Sequence, residues 1–598
     1  MIKLNIMETN MILSASGWRK VFAITNKEQD TTTEIGIENK VISIYAAYVF
    51  LEYVKQQTKK NNPVILCGTD SRPTGAEIAD ATIKTLVSNN INVKYIGITA
   101  APEIMAYSKN FDGFIYISAS HNPIGHNGIK FGLNTGGVLN GTENAKLVEK
   151  FNQLCEKDNA IEYALSIYES ANSEAVKKIY DESTNEKQNA LSSYKSFVKE
   201  TISACNNQNQ QEEIFSIIKN TIQQKQIGVV CDMNGSARSI SIDKDFFAEN
   251  CINFYAMNNT PGNIVHEIIP EAENLVHCAS YMEKLQSENK SDAILGYMPD
   301  CDGDRGNIVY WDEKQKKSVI LKAQEVFSLS VLAELSYSAW LNKDNKIFKP
   351  AVAVNCPTSM RIEEIAKVFN AQVFRAEVGE ANVVNLAAKK RAEGYDVRIF
   401  GEGSNGGTIT YPSAVRDPLN TIFAIIKLLS IKELFKMWCE KTNSTYIENY
   451  SLTDILNTLP KYTTTGVSEN RAILHINTMD HSLLKSRFQK IFEQEYSEKL
   501  KTINEKYDIT SYKVVLTNGT NEVTDETDFS KSQKGGLKII FYSENNGTKI
   551  PEAFIWMRGS GTEPVFRIMC DVKGNRPEME KEFLQWETEM LLKADSIL

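Results

Sequence analysis

Strand and helix signals alternate along this chain, stop, and begin again, and that restarting rhythm constrains its fold more than any other feature. From Val41 to Tyr95 an apolar helical run (ISIYAAYVFLEYVKQQ) is followed by a short strand (PVILCGTD), a helix (GAEIADATIKTLVSN) and another strand (NVKYIGI). The alternation predicts βαβ units, and therefore a parallel or mixed sheet covered by helices. The strand FDGFIYISAS follows and ends at Ser120. The rhythm restarts at IGVVCDMNG, runs through DAILGYMPD, and reaches a long apolar helix (AQEVFSLSVLAELSYSAWL) after Leu321. A third stretch opens with AVAVNCPTS and passes through DVRIFGEGSNGG to the helix TIFAIIKLL. From near Tyr450 the pattern changes to α+β, with the helix HSLLKSRFQKIFEQEYSEKL and the strands KVVLTN, LKIIFYS and EAFIWMR. The expected fold class is three similar α/β domains with mixed sheets plus a C-terminal α+β domain.

A chain of 598 residues exceeds one ordinary core, and ~150 residues per domain gives about four. The expected domains are 1–205, 206–315, 316–445 and 446–598. Residues from about Gly141 to Gln226, at the end of the first, are helical, polar and rich in Asn, Gln, Lys and Glu, and read as solvated helices and linker.

Composition excludes several function classes. Hydrophobic residues at 42% and charged residues at 24% place the chain among globular proteins and away from disorder. A net charge of −9 offers no basic field for a polyanion, so no nucleic-acid partner is expected, and phosphate binding has to be local. The 10 cysteines are scattered singly, without zinc-type pairs, as expected of reduced thiols in a cytoplasm. The opening residues MIKLNIMETNMILSASGWRK lack the basic and apolar regions of a signal peptide, and there is no run of about 18 apolar residues. Neither export nor a membrane span is expected.

Four clusters carry chemistry. Ser118-Ala119-Ser120-His121-Asn122-Pro123 follows an apolar strand directly, at the carboxyl end where open α/β sheets place ligands. A serine hydroxyl there becomes useful once a base or metal activates it, or once it carries a phosphoryl group. On these six residues alone a turn is the better reading. Asp300-Cys301-Asp302-Gly303-Asp304-Arg305 points three alternating carboxylates at a single hard cation. An EF-hand is excluded, because its sixth position would be Arg305 and its twelfth Trp311. A charged turn rarely needs three alternate aspartates, so metal binding is the better reading. Gly401-Glu402-Gly403-Ser404-Asn405-Gly406-Gly407 again follows a strand and lets a ligand approach the backbone, with Glu402 and Ser404 suited to sugar hydroxyls. Taken alone, a simple turn fits it equally well. Arg558-Gly559-Ser560-Gly561-Thr562-Glu563-Pro564, with Arg567 beyond, gathers arginines, hydroxyls and backbone N–H groups into a nest for a phosphate that does not react.

In this order the clusters resemble the α-D-phosphohexomutase family, the phosphoglucomutases, phosphomannomutases and relatives, over nearly the whole chain. The family's serine loop, Thr-Ala-Ser-His-Asn-Pro, is matched except at Ser118. Its metal loop, Asp-x-Asp-x-Asp-Arg, and its phosphate loop, Arg-x-Ser-Gly-Thr-Glu-Pro, are complete. Ser16-Gly17-Trp18-Arg19, Asn127-Gly128-Ile129-Lys130 and Asp232-Met233-Asn234-Gly235 are supporting matches.

The resemblance implies four domains around one central cleft, each contributing a loop. It also implies an intramolecular phosphotransferase of the isomerase class, interconverting hexose 1- and 6-phosphates through phosphorylated Ser120 and a hexose 1,6-bisphosphate. Mg²⁺ is expected on Asp300, Asp302, Asp304 and an oxygen of phosphorylated Ser120, with Arg305 and Arg19 assisting. Glu402, Ser404 and Asn405 are expected to meet the sugar; Arg558, Ser560, Gly561, Thr562 and Arg567 to hold the other phosphate. Lys130 and His121 are the candidates for proton transfer. Asn405 stands where the family has glycine, and Gly406 where some phosphomannomutases have histidine, so the sugar stays open. Phosphoglucosamine or phosphopentose mutase, and an inactive sugar-phosphate binder, are the alternatives. The expected partners are small sugar phosphates, and the expected state is monomer or homodimer.

Overall fold

The computed structural model describes residues 11–559 and 565–597. Two compact units divide the chain. The first runs to Leu321 and takes in Ile409–Ile431; the second comprises Lys322–Thr408 and the chain from Lys432 onward.

The first unit holds two mixed sheets. Six strands lie in the order Ile12–Ser14, Gly17–Val21, His126–Leu133, Gly113–Ile117, Val64–Thr69 and Asn92–Ile98. The last three are parallel and the others antiparallel. The helix Gly36–Thr58, apolar around most of its circumference, is buried through Val41, Ile44, Phe50 and Val54 in the main core, as an all-round apolar helix must be. Five strands make the other sheet, in the order Lys317–Ile320, Asn307–Asp312, Ala293–Met298, Gly228–Asp232 and Asn253–Met257. Again the last three are parallel and the rest antiparallel.

The second unit contains the three parallel strands of a four-stranded sheet, ordered Gln372–Ala376, Pro350–Asn355 and Asp396–Glu402, with Gly407–Thr410 next in order. Its other sheet is antiparallel and runs Tyr462–Thr464, Val565–Lys573, Thr548–Gly559, Gly536–Asn545, Ser511–Asn518 and Asn521–Thr524, with Ile473–His475 also pairing on Val565–Lys573. The helices His481–Tyr507 and Pro577–Asp595 supply Phe488, Phe492, Phe583 and Trp586 to its core. Several α/β sheets followed by an α+β region is the fold class read from the sequence.

The polar stretch differs from its reading as solvated helix. It forms the helices Gly141–Cys155, Ala160–Glu169, Ser173–Ser203 and Gln208–Lys225. Ser173–Ser203 buries a stripe at a spacing of four, Ala190, Tyr194, Val198 and Ile202. Composition averaged over the stretch hides such a stripe, although burying each large apolar side chain contributes about 1.5–3 kcal/mol. All ten cysteines are free thiols, and among the described residues no helix is long and apolar enough to cross a membrane.

Candidate active site

In three of the sheets the chain reverses at an equivalent place, immediately after the last parallel strand. Gly113–Ile117 returns as antiparallel His126–Leu133, Ala293–Met298 as antiparallel Asn307–Asp312, and Asp396–Glu402 as its neighbour Gly407–Thr410. The serine, aspartate and glycine loops occupy these reversals, at the carboxyl ends of parallel strands.

Ser120 sits in the first reversal, almost fully buried, with φ +55°. The left-handed region costs a side-chain-bearing residue about 1–2 kcal/mol, so the surroundings must hold it there. Three hydrogen bonds do so. The Ser120 N–H donates to Ser118 Oγ at 2.9 Å, its carbonyl accepts from Arg72 Nη2 at 2.8 Å, and its hydroxyl donates to Asp300 Oδ2 at 2.6 Å. Ser118, where the family has threonine, donates its hydroxyl to Asp302 Oδ2 at 2.9 Å. The neighbouring strand leaves no room beside this loop: a Cβ on Gly128 would lie 2.6 Å from the Ser118 carbonyl and 2.8 Å from that of Trp18.

Asp300, Asp302 and Asp304 are all buried, and one oxygen from each lies within 4.8 Å of the others. Asp302 Oδ1 and Asp304 Oδ1 are buried without a hydrogen-bond partner. Burial, then the charges of Asp302 and Asp304, push the Asp300 carboxyl up to about 7. Burial acts in the same direction on Asp302, but the Lys130 ammonium at 2.6 Å, Ser118 and Arg72 override it and hold that carboxyl below its usual range. Three hard, mutually repelling carboxylates, two of them with an unpartnered oxygen, fit a divalent cation.

The other predicted residues of this unit surround the same loop. Arg305 Nε lies 3.9 Å from Asp300 Oδ2, and Arg19, anchored by Nη2 donating to the Ser16 carbonyl at 2.8 Å, faces the charges of Asp302 and Asp304. Arg305 first, then burial, Arg19 and Arg416, hold the His121 imidazole well below its usual range, so it is neutral at pH 7. Two arginines were not singled out in the sequence. Arg416 Nη2 donates to Asp304 Oδ2 at 2.8 Å, and buried Arg72, paired with Asp70, clamps the carbonyls of Ser120 and Asn122. Arg416 stands before Asp417-Pro418, a helix-start signal that says nothing of a carboxylate 112 positions away.

In the second unit Glu402 and Ser404 are held by one buried residue. Asn355 Nδ2 donates to Ser404 Oγ at 2.9 Å and to Glu402 Oε1 at 3.2 Å, while the Gly379 N–H donates to the same Glu402 oxygen at 2.8 Å. Asn405 Nδ2 donates to Glu402 Oε2 at 3.4 Å. Asn355 ends the parallel strand Pro350–Asn355, which is the only sequence signal it offered. Arg558 and Arg567 stand directly opposite each other on paired antiparallel strands. Like charges in that position repel unless an anion or an acid separates them. Glu377 Oε1 lies 3.0 Å from Arg558 Nε, and Arg567 Nη1 donates to the Val467 carbonyl at 3.0 Å. Glu377 is itself fixed by the Thr517 hydroxyl at 2.7 Å and the Gly536 N–H. Ser560, Gly561 and Thr562 lie outside the described residues.

Comparison with known proteins gives consistent matches. The sequence model of phosphoglucomutase/phosphomannomutase alpha/beta/alpha domain I matches residues 15–158, and that of domain III matches residues 330–448. A Methanococcus aeolicus protein named phosphoglucosamine mutase is 25% identical over 67% of this chain and 75% of its own length. A Thermococcus kodakarensis phosphoglucomutase/phosphomannomutase is 22% identical over 90% of this chain and 91% of its own. Among solved structures, the Paramecium phosphoprotein parafusin, a phosphoglucomutase in its open form, superposes with a TM-score of 0.63 at 14% identity, covering 98% of this chain and 96% of that one. This last likeness is one of fold.

Proposed function

This chain belongs to the α-D-phosphohexomutase family, and from that premise we propose that it interconverts hexose 1-phosphate and hexose 6-phosphate through a phosphoryl group carried on Ser120. The observation that carries the reading is the buried Ser120 hydroxyl, 2.6 Å from one of three clustered aspartates.

In the first half-reaction the free hydroxyl oxygen of the sugar phosphate bonds to the phosphorus on Ser120 as the Ser120 Oγ–P bond breaks. The hydroxyl proton passes to a base, and the product is a hexose 1,6-bisphosphate. In the second half, Ser120 Oγ bonds to the other phosphorus as that phosphorus's bond to the sugar oxygen breaks, the sugar oxygen takes the proton back, and the isomer leaves. Ser120 is kept in its strained pose by Arg72 and Ser118, so its oxygen is positioned before substrate binds. Asp300, Asp302 and Asp304 would hold Mg²⁺, which would supply neutralisation of the charge on the transferring group. Arg305 and Arg19 add positive charge on the same side. His121, kept neutral, is in the form that accepts a proton, and Lys130, paired with Asp302, is in reach of the same loop. Glu402 and Ser404 take the sugar hydroxyls, with Asn405 beside them. Arg558 and Arg567, with Ser560, Gly561 and Thr562, hold the phosphate that does not react.

An arginine that grips the non-reacting phosphate supplies binding that is equal in ground and transition states. Arg558→Met is therefore expected to raise KM for the sugar phosphate about 10–100-fold, the effect of one charge-assisted hydrogen bond, with a smaller change in kcat. Steady-state kinetics over a range of substrate concentrations measures the split. A fall in kcat at unchanged KM would remove Arg558 from this role.

A second reading, phosphoglucosamine mutase, is favoured by the name of the Methanococcus relative. Coupled assays with glucose 1-phosphate, mannose 1-phosphate, glucosamine 1-phosphate and ribose 1-phosphate separate the readings. The highest kcat/KM on glucose or mannose 1-phosphate supports the first, and on glucosamine 1-phosphate the second. Silence on all four overturns both.

A further inference from the structure

The helix Ser173–Ser203 lies beyond the residues matched by the domain I sequence model, and its composition gave it no role. Its buried stripe leads to the metal loop. Tyr194, fully buried, donates its hydroxyl to Asp417 Oδ2 at 2.7 Å. Asp417 Oδ1 faces Arg238 Nη1 at 3.4 Å, and the same Arg238 nitrogen donates at 3.1 Å to the carbonyl of Gly303, which stands between Asp302 and Asp304. Arg238 is wedged there: its Nε donates to Asp243 Oδ1 at 2.9 Å, and Gly303, at φ +71°, has no room for a Cβ, which would lie 2.3 Å from Arg238 Cγ. The residue before Asp417 is Arg416, whose guanidinium holds Asp304 Oδ2. One two-residue segment thus meets the helix through Asp417 and the metal loop through Arg416.

A second line of bonds runs along the same helix. Lys187 Nζ donates to Glu103 Oε1 at 2.6 Å and to the Ile98 carbonyl at 2.9 Å. Glu103 belongs to the short helix Ala101–Ser108, whose Ala101 N–H donates to the Asp302 carbonyl at 2.8 Å. The loop is therefore restrained at the carbonyls of Asp302 and Gly303 and at the Asp304 carboxylate, and all three restraints trace back to one helix.

A loop that converges three carboxylates has to be held against their repulsion. The three carboxyl groups carry like charge in a buried setting, and any slack lets them separate. Charges brought together in advance bind a cation more tightly than charges that must be gathered on binding. We propose that the helix Ser173–Ser203 is a positioning element of the metal loop, acting through the hydroxyl of Tyr194 on Asp417 and thence through Arg238 and Arg416. The proposal rests on the reading of Asp300, Asp302 and Asp304 as the cation site.

Tyr194→Phe keeps the ring in the core and removes only the hydroxyl. Binding of Mn²⁺ to the full-length protein, followed by electron paramagnetic resonance, is expected to weaken about tenfold, as for partners that orient metal ligands elsewhere. Activity should fall in parallel and return when Mg²⁺ is raised. Ser196→Ala, on the exposed face of the same helix, should leave Mn²⁺ affinity unchanged. Denaturant unfolding of both variants separates this from a general loss of structure: a purely structural role lowers the midpoint and leaves the affinity of the folded fraction alone. Wild-type Mn²⁺ affinity in folded Tyr194→Phe overturns the positioning role. Absence of Mn²⁺ binding by the wild-type protein overturns the cation site and the positioning role together.

Discussion

Ser120→Ala is expected to abolish the phosphoryl adduct seen by intact-mass measurement and to lower turnover at least about 10⁴-fold, the scale on which loss of a covalent nucleophile acts. The fold should survive. The Ser118 hydroxyl still accepts from the residue 120 N–H, and Arg72 still holds its carbonyl, because both bonds use the backbone. Alanine meets the same cost at φ +55° as serine does. What is lost is the hydroxyl 2.6 Å from Asp300 Oδ2 and with it the oxygen that carries phosphorus. Incubating wild type and variant with a hexose 1,6-bisphosphate before mass measurement makes the comparison direct. An adduct of the same mass on the variant would place the phosphoryl group elsewhere. No adduct on either protein, with no turnover, would favour a sugar-phosphate binder.

Asp302→Asn is expected to cost both activity and stability. Its carboxylate is fully buried, accepts from Ser118 Oγ and pairs with the Lys130 ammonium at 2.6 Å, and the Lys130 side chain is itself only 6% exposed. Removing one charge of a buried pair leaves the other uncompensated, at a cost of about 3–5 kcal/mol. Removing a metal carboxylate takes away several kcal/mol of transition-state stabilisation, so turnover should fall about 10³-fold or more. Denaturant unfolding and activity across a Mg²⁺ titration measure the two losses. The double variant Asp302→Asn with Lys130→Met tells them apart, because no charge is then left unpaired. It should recover much of the stability and none of the turnover. Retained activity without added Mg²⁺ would contradict the metal assignment; unchanged stability of the single variant would show that the Lys130 pair contributes little.

Much of the candidate site was legible because its residues are contiguous. The aspartates alternate within five positions, the serine loop spans six, and each follows a strand signal that places it at a sheet's carboxyl end. Chemistry written into one short loop survives as a pattern whatever the rest of the chain does. The positions that hold those loops are of another kind. Asn355 meets Ser404 49 positions on, Arg72 meets the Ser120 carbonyl 48 positions on, and Tyr194 meets Asp417 across 223. No local rule connects them.

Asp304 and Tyr194 show the division most plainly. Alternating carboxylates beside an arginine require a cation or a protonation, so local charge alone marked Asp300, Asp302 and Asp304 as a candidate site. The helix rhythm likewise determined the parallel strands that bear the loops, since helical crossovers are what join such strands. Tyr194 sat in a segment whose averaged composition is that of solvated helix. Its role depends on which side of the helix is buried and on what lies opposite, a carboxylate more than 200 positions away. Only tertiary packing brings such groups together, because a buried hydroxyl or guanidinium has to find its partner wherever the fold provides one.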